Sequence, residues 1–211
     1  MDKQTLQAYD TDAAGFAKEW HEQAAPVDMY DLLRHHFKPG PTVDIGCGSG
    51  RDVAWLVANG YDAHGFDASE SLLQHARATH PEIRFSFAAL PDLAGVERGV
   101  YENVLCETVI MHLDPETLPD AVRSLLDLLR PGGTLYLSWR VTQHASQRDK
   151  TGRLYAAFNK QVVLDQLGAQ HAILSDTEQT SVSSGKTVHR LIVRNTAAAA
   201  AIDAGRTTRE G

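Results

Sequence analysis

Residues 43–52 read VDIGCGSGRD: a short apolar run holding one acid, Asp44, then glycines at every second position, Gly46, Gly48 and Gly50. A residue without Cβ lets the backbone come close to a ligand, so glycines in this setting mark a binding turn. The spacing is G-x-G-x-G. The dinucleotide turn is G-x-G-x-x-G, and its third glycine packs helix against strand. Spacing alone leaves a nicotinamide dinucleotide, a phosphate and an adenosyl group open. Asp44 narrows the choice, because a carboxylate directly before the glycines repels a pyrophosphate and attracts a cationic or ammonium-bearing ligand. Asp67, at the predicted end of the next strand, is the expected partner for a ribose diol, which NAD and adenosyl nucleosides both carry.

Outward from this turn, apolar periodicity shifts repeatedly between short strand-like runs and longer helical ones. That alternation predicts βα units around a largely parallel sheet. Strands are predicted at Thr42–Ile45, Tyr61–Asp67, Ile83–Ala88, Tyr101–Glu107 and Thr134–Trp139. Helices are expected from Arg51 to about Gly60, from the Ser69 cap through Arg77, and from Pro119 to the Pro131-Gly132-Gly133 stop, after a tight turn at Asp114–Thr117. Two helices, Asp12–Ala24 and Asp28–Phe37, should precede the first strand. Residues 141–158 turn polar and carry Arg148, Lys150 and Arg153, which suits a mobile crossover or lid. Asn159 can cap a helix ending at Gly168. Strands near Ala172–Ser175 and Thr187–Arg194, joined by the polar SVSSGK turn, form a hairpin and so make the last pair antiparallel. Residues 1–195 read as one domain, with 1–38 as a helical cap and 196–211 as an Ala-rich flexible tail.

The chain has 211 residues, 43% of them hydrophobic, which suits a single buried core. It contains no stretch of eighteen uncharged apolar residues, and MDKQTLQAYDTD lacks the apolar centre of a secretory signal, so a cytoplasmic protein without membrane contact is expected. A formal net charge of −7 argues against a large nucleic-acid surface, which draws on clustered Lys and Arg. Cys47 and Cys106 fit neither a disulfide framework nor a zinc spacing and read as small buried thiols. Because strands one and four should be neighbours, a close approach of the two sulfurs is the alternative. The histidines, including His35 and His36, show no metal-ligand spacing, and no metal is expected. No segment specifies an oligomeric state.

VDIGCGSGRD, the acidic end of GFDAS, the segment VLCETVIMHL and the run LLRPGGTLYLSWR together resemble the class I S-adenosylmethionine-dependent methyltransferases, over about Tyr9 to Arg194. The resemblance implies a Rossmann-like, doubly wound α/β fold: seven strands in the order 3-2-1-4-5-7-6, strand seven antiparallel, helices on both faces. It implies S-adenosyl-L-methionine as cofactor and S-adenosyl-L-homocysteine as product. Gly46, Cys47, Gly48 and Gly50 should line the methionine part, with Asp44 near its amino group. Asp67 should accept hydrogen bonds from the ribose, and Ala68 and Leu72 should flank the adenine. Many relatives carry an acid after strand three for the adenine amino group. Here Ala88 and Ala89 stand there, so a backbone carbonyl of Ala89 or Leu90 is the expected substitute, ahead of Asp92. Tyr9, in the N-terminal YDTDAAGFAKEW, matches an aromatic that closes over the cofactor, whereas Trp20 is expected to pack.

The sulfonium already carries an activated methyl group, so positioning an acceptor in line and excluding water should dominate. His112 and Glu107, after strand four, are candidate bases, with a helix-entry hydrogen bond as the alternative for His112; Glu107 is also placed to touch the cofactor. Arg140, closing strand five, can clamp an anionic group on a small-molecule acceptor or pair with a nearby acid. His144, Arg148, Lys150, Arg153 and Tyr155 add to the same rim. Methylation of a protein or RNA, an NAD-dependent oxidoreductase and a non-catalytic nucleoside-binding module are the competing readings. Glycine spacing, Asp44 and the reversed last strand oppose the second, and the furnished acceptor rim opposes the third.

Overall fold

The computed structural model describes residues 1–198. In chain order it contains α1 (Lys3–Thr11), α2 (Ala13–Glu22), α3 (Val27–His36), β1 (Pro41–Ile45), α4 (Arg51–Ala58), β2 (Asp62–Asp67), α5 (Glu70–Thr79), β3 (Arg84–Phe87) and β4 (Tyr101–Cys106). Two short 3₁₀ turns, Ile110–His112 and Pro115–Thr117, lead into α6 (Leu118–Asp127). Then follow β5 (Leu129–Arg140), β6 (Gln147–Arg148), β7 (Leu154–Tyr155), α7 (Gln161–Leu164), β8 (His171–Thr180) and β9 (Thr187–Asn195). The main sheet has the order β3-β2-β1-β4-β5-β9-β8. Pairing is parallel from β3 to β5, and β9 runs antiparallel to both β5 and β8. This is the expected topology, with β8 and β9 as its sixth and seventh strands.

Parallel strands covered on both faces carry apolar residues on both. Val104, Cys106, Leu135, Leu137, Leu191 and Val193 face α6 through Val122 and Leu125. The intervening Leu105, Tyr136 and Ile192 face α3, α4 and α5 through Met29, Leu33, Val53, Leu56 and Leu73. Cys106 belongs to the first layer and Cys47 to the second; both thiols are free and buried. The alternative of approaching sulfurs is thereby removed, because the sheet stands between them.

Several boundaries differ from expectation for identifiable reasons. Helix α1 has no apolar stripe and a single buried residue, Thr5, so periodicity does not reveal it. Polar fastenings hold it instead: Asp2 caps the Thr5 N–H at 2.8 Å, and Thr5 Oγ1 accepts from Leu154 N at 2.8 Å. The Pro131-Gly132-Gly133 run, expected as a helix stop, is a bulge within β5. Tyr101 pairs with Leu129 and Asn103 with Thr134, so four residues of β5 loop out between the two pairs. A Cβ on Gly133 would stand 2.7 Å from the Tyr101 carbonyl oxygen. Helix α7 is one turn, its Gln161 N–H capped by Asn159 Oδ1 at 2.9 Å. Strand β8 outruns its prediction because TEQT is an exposed polar edge, without the alternation that marks a half-buried strand.

Residues 141–158, expected as a mobile crossover, form the β6–β7 hairpin, fastened on two sides. Arg148 pairs with both Asp2 oxygens at 2.8 and 2.9 Å, and Ala156 N donates to the Met111 carbonyl at 2.8 Å. No helix among the described residues is long and apolar enough to cross a membrane. The Ala-rich tail, from residue 199 onward, lies outside the described residues.

Gly65, in the middle of β2, shows how tightly the edge beside the glycine turn is packed: a Cβ there would meet Phe85 at 2.7 Å and Cys47 Sγ at 2.8 Å. Gly65→Ala is expected to destabilise the fold by about 1–3 kcal/mol through overpacking alone, read as a lower urea midpoint at unchanged slope. An unchanged midpoint contradicts this packing.

Candidate functional site

The glycine turn crosses from β1 to α4 at the carboxyl edge of the sheet, where α/β folds bind ligands. Its geometry is set by β2. Gly46 N and Cys47 N both donate to the Phe66 carbonyl, at 2.7 and 3.0 Å. Gly48 N donates to Asp67 Oδ2 at 2.8 Å, and Ser69 N to Oδ1 at 2.8 Å. Gly46 and Gly48 have φ of +81° and +55°, a region costly for other residues. Cβ atoms there would lie 2.3 Å from Val109 and 2.8 Å from Trp20. The turn thus needs glycine for conformation and for space.

A cavity of about 450 Å³ opens at this edge, a size suited to one small-molecule site. Of the residues singled out from sequence, Tyr9, Gly46, Cys47, Gly48, Asp67, Leu72, Glu107, His112 and Arg140 line it together. Asp44 lies beneath the floor, 3% exposed. Gly50, Ala68, Ala89 and Leu90 do not line it. The Ala89 carbonyl accepts from Leu93 N at 2.9 Å, and the Leu90 carbonyl accepts from the Met1 ammonium at 2.8 Å. Met1 and Leu6 close that side of the cavity themselves.

Four carboxylates converge here, Asp44, Asp52, Asp67 and Glu107. Burial pushes the Asp44 carboxyl well above its ordinary range, and the charges of Asp52, Asp67 and Glu107 add to the shift. Burial likewise raises Glu107, against a hydrogen bond from the Ser138 hydroxyl and the charge of Arg190. Asp67 is raised by burial, against its bonds from backbone N–H groups. The nearest cation, Arg51, is already bound to both oxygens of Asp52, at 2.9 and 3.0 Å, and Asp52 also accepts from Tyr30 at 2.8 Å.

His112 stands 4% exposed between the N-terminal helices and the hairpin. Its Nδ1 lies 2.5 Å from the Leu154 carbonyl, which can only accept, so Nδ1 carries the proton and Nε2 accepts the Tyr9 hydroxyl at 3.1 Å. Burial holds the imidazole down at about 4, neutral at physiological pH. The lone pair that a base would use is therefore occupied. Tyr9 is itself pushed up by burial and packs against Phe16 and Trp20, with ring centroids 5.0 and 5.9 Å away.

Sequence reasoning missed part of the wall. Trp20, expected only to pack, lines the cavity over Gly48. Arg153, read as a rim charge, is held by Asp149 at 2.8 Å with its guanidinium 4.6 Å from the Phe16 ring centre and 5.5 Å from that of Tyr9. Arg148 is taken by Asp2, and neither it nor Lys150 or His144 lines the cavity. The SVSSGK turn, read as a plain hairpin connection, contributes Ser181, Ser183, Ser184 and Lys186. Its one signal was a lysine and three serines in a loop at the sheet's functional edge. Among the described residues Arg140 and Lys186 have no ion-pair partner; Arg140 lies 4.9 Å over the Tyr155 ring. No cluster of three or more His, Cys, Asp or Glu among them is arranged to hold a metal ion.

Residues 42–133 match the family model described as a methyltransferase domain. Over 119 residues the chain is 33% identical to the ubiquinone biosynthesis O-methyltransferase of Methylococcus capsulatus, covering 54% of this chain and 49% of that one. Over 121 residues it is 26% identical to the probable S-adenosyl-L-methionine-dependent methyltransferase TehB of Haemophilus influenzae, covering 56% and 42%. The chain thus spans about half the length of the curated relatives it matches. Among solved structures, the Burkholderia thailandensis 1,6-didemethyltoxoflavin-N1-methyltransferase, with bound 1,6-didemethyltoxoflavin and S-adenosylhomocysteine, superposes with a TM-score of 0.70 at 19% identity, over 91% of this chain and 87% of that one. The strand order and the matched domain make this chain similar to the class I S-adenosylmethionine-dependent methyltransferases.

Proposed function

We propose that this protein transfers the methyl group of S-adenosyl-L-methionine to a small acceptor bearing an anionic group. The observation that carries the reading is the approach of Asp44, Asp52, Asp67 and Glu107 to one edge of the cavity, where the neighbouring cations Arg51 and Arg190 are already bound to Asp52 and Asp28. Buried like charges raise one another's proton affinity, and a ligand with a sulfonium and an ammonium relieves that repulsion. A dinucleotide, whose pyrophosphate is anionic, would increase it.

The residues take roles accordingly. Asp67, its carboxylate aimed by Gly48 and Ser69, receives the ribose hydroxyls. Gly46, Cys47 and Gly48 give the methionine part close backbone contact, with Gly50 shaping the turn and Asp44 acting from beneath. Leu72, with Ala68 behind it, flanks the adenine, and Tyr9 and Trp20 cover the donor. The Ala89 carbonyl keeps one lone pair for the adenine amino group, while Leu90 is engaged by Met1. Residues 1–38 and 141–158 form the cap of a single domain spanning 1–195.

In the transfer, a lone pair of the acceptor attacks the methyl carbon and the carbon–sulfur bond breaks toward sulfur, leaving S-adenosyl-L-homocysteine. The acceptor's proton, where it has one, passes to Glu107. Between the two candidate bases, Glu107 lines the cavity with a proton affinity raised by burial, whereas His112 has its Nε2 covered by Tyr9. His112 thus positions Tyr9. Arg140 and Lys186, cavity-lining cations without an ion-pair partner among the described residues, meet the acceptor's anionic group, and a charged small acceptor is favoured over a protein or RNA by the cavity's size.

Three outcomes are expected. In calorimetry, S-adenosyl-L-methionine and S-adenosyl-L-homocysteine bind while NAD does not, and Asp67→Ala weakens both by roughly tenfold or more, the loss of hydrogen bonds to a charged group; tight NAD binding with silence toward both sulfur compounds sinks the reading. Because burial holds Asp44, Asp67 and Glu107 above the ordinary carboxyl range and a cation favours their ionised form, donor affinity rises with pH through that raised range. Binding should then release protons, visible as a heat that depends on the buffer; uptake of protons has the wrong sign. In a screen of small carboxylates, phenols and amines for homocysteine-nucleoside release, Arg140→Ala should raise KM for anionic acceptors and leave neutral analogues unaffected, and an equal effect on both removes the anion clamp.

A further inference from the structure

On the face of the sheet covered by α3 and α4, a chain of polar groups runs behind the cavity wall. Asp44 is in register with Leu105, Leu105 with Tyr136, Tyr136 with Ile192, and Ser138 with Arg190, so all of these share one face. Arg190 is fully buried. Its Nη2 donates to Asp28 Oδ2 at 2.7 Å, and the same oxygen accepts from Val182 N at 3.2 Å. Asp28 is therefore the anchor of the Ser181–Lys186 turn that lines the cavity. Directly beside Arg190 in the β5–β9 ladder, the Ser138 hydroxyl holds Glu107. Directly paired side chains in such a ladder lie within contact reach. Nε and Nη1 of Arg190, the Tyr136 hydroxyl and Asp28 Oδ1 have no hydrogen-bond partner within the described residues.

A buried guanidinium with one carboxylate bound and two nitrogens unpartnered is an incomplete pairing, costly unless a second anion shares it. The groups facing Glu107 are Asp44 from β1, Arg51 and Asp52 from α4, Tyr136 and Ser138 from β5, and Arg190 from β9 with Asp28 of α3 behind it. Of the two cations, Arg51 is committed to Asp52. Only Arg190 has donors to spare.

We propose that Arg190 is a positioning residue that shares its charge between Glu107, at the reacting edge, and Asp28, the anchor of the Ser181–Lys186 turn, so that the charge on Glu107 and the seating of the turn are coupled. Arg190 keeps Glu107 ionised among neighbouring acids, ready to take a proton. When a cationic donor draws Glu107 away, the guanidinium is left to Asp28 alone and the turn seats more firmly on the acceptor end of the cavity. The catalytic consequence rests on the reading of Glu107 given above, whereas the coupling itself does not.

The test needs neither cofactor nor acceptor. In protein labelled with ¹³C at glutamate carboxyls, the Glu107 resonance, identified by its loss in Glu107→Gln, is titrated alongside exchange of the turn amides. Arg190→Met with Asp28→Leu replaces the ion pair by apolar groups of similar volume, a change that folded proteins often tolerate. There the Glu107 midpoint should rise by about one unit or more, the shift expected on losing a nearby opposite charge, and the Val182 amide should exchange faster. Asp28→Asn, a gentler change that should fold if the double variant does not, is expected to lower the midpoint, because the guanidinium is released toward Glu107, while the Val182 amide again exchanges faster. A Glu107 midpoint unmoved in whichever variant folds overturns the proposal, as does turn exchange unchanged from the parent. Failure of S-adenosyl-L-methionine to bind the unmodified protein would instead strike the functional reading and leave this titration decisive for the coupling.

Discussion

The structure turns on how four acids are kept at one edge whose two neighbouring cations, Arg51 and Arg190, are bound to Asp52 and Asp28. Such a cluster disfavours its own ionisation, through burial first and mutual repulsion second. The fold bears it because the acids arrive on separate elements whose positions are fixed by other forces. Asp44 sits within β1, flanked by Val43 and Ile45 in the apolar core, and Asp67 ends β2 with both oxygens taken by backbone N–H groups. Glu107 follows β4 and leans on Ser138. Only Asp52 has a full counter-ion. An edge arranged in this way favours a cationic ligand, and that property connects the fold to the proposed chemistry.

The cap over this edge is held by different physics. The sheet and its helices are fastened by apolar layers, whereas α1 and the β6–β7 hairpin join polar contacts, Asp2 with Arg148, Thr5 with Leu154 and Tyr9 with His112, to the packing of Tyr9 on Phe16 and of Tyr155 in the core. Surface ion pairs and single hydrogen bonds contribute only about a kcal/mol each.

The division also explains what could be read from the amino-acid sequence. Strand order, the reversed last strand and the glycine turn were legible because each leaves a local signature: alternation, apolar runs, and glycines where Gly46 and Gly48 need positive φ. Asp67 and Glu107 were legible because they end strands at the functional edge. The polar helix α1 was not, since its stability lies in side-chain bonds to residues over a hundred positions away. For the same reason the occupied lone pair of His112, the stacked Arg153 and the cavity-facing serines of the β8–β9 turn were invisible: each depends on which distant segment arrives beside it. Ala89 and Leu90 show the converse, where a local argument about carbonyls did not anticipate that Met1 would occupy one of them.

The most direct test is a crystal structure of the protein with S-adenosyl-L-methionine. The ribose hydroxyls are expected on Asp67, the ammonium and sulfonium toward Asp44 and Glu107, and the methyl carbon facing the space bounded by Arg140 and Lys186. A donor found elsewhere, or bound with its methyl group enclosed and no acceptor space before it, would contradict the claim that this acidic edge is a receptor for a cationic methyl donor.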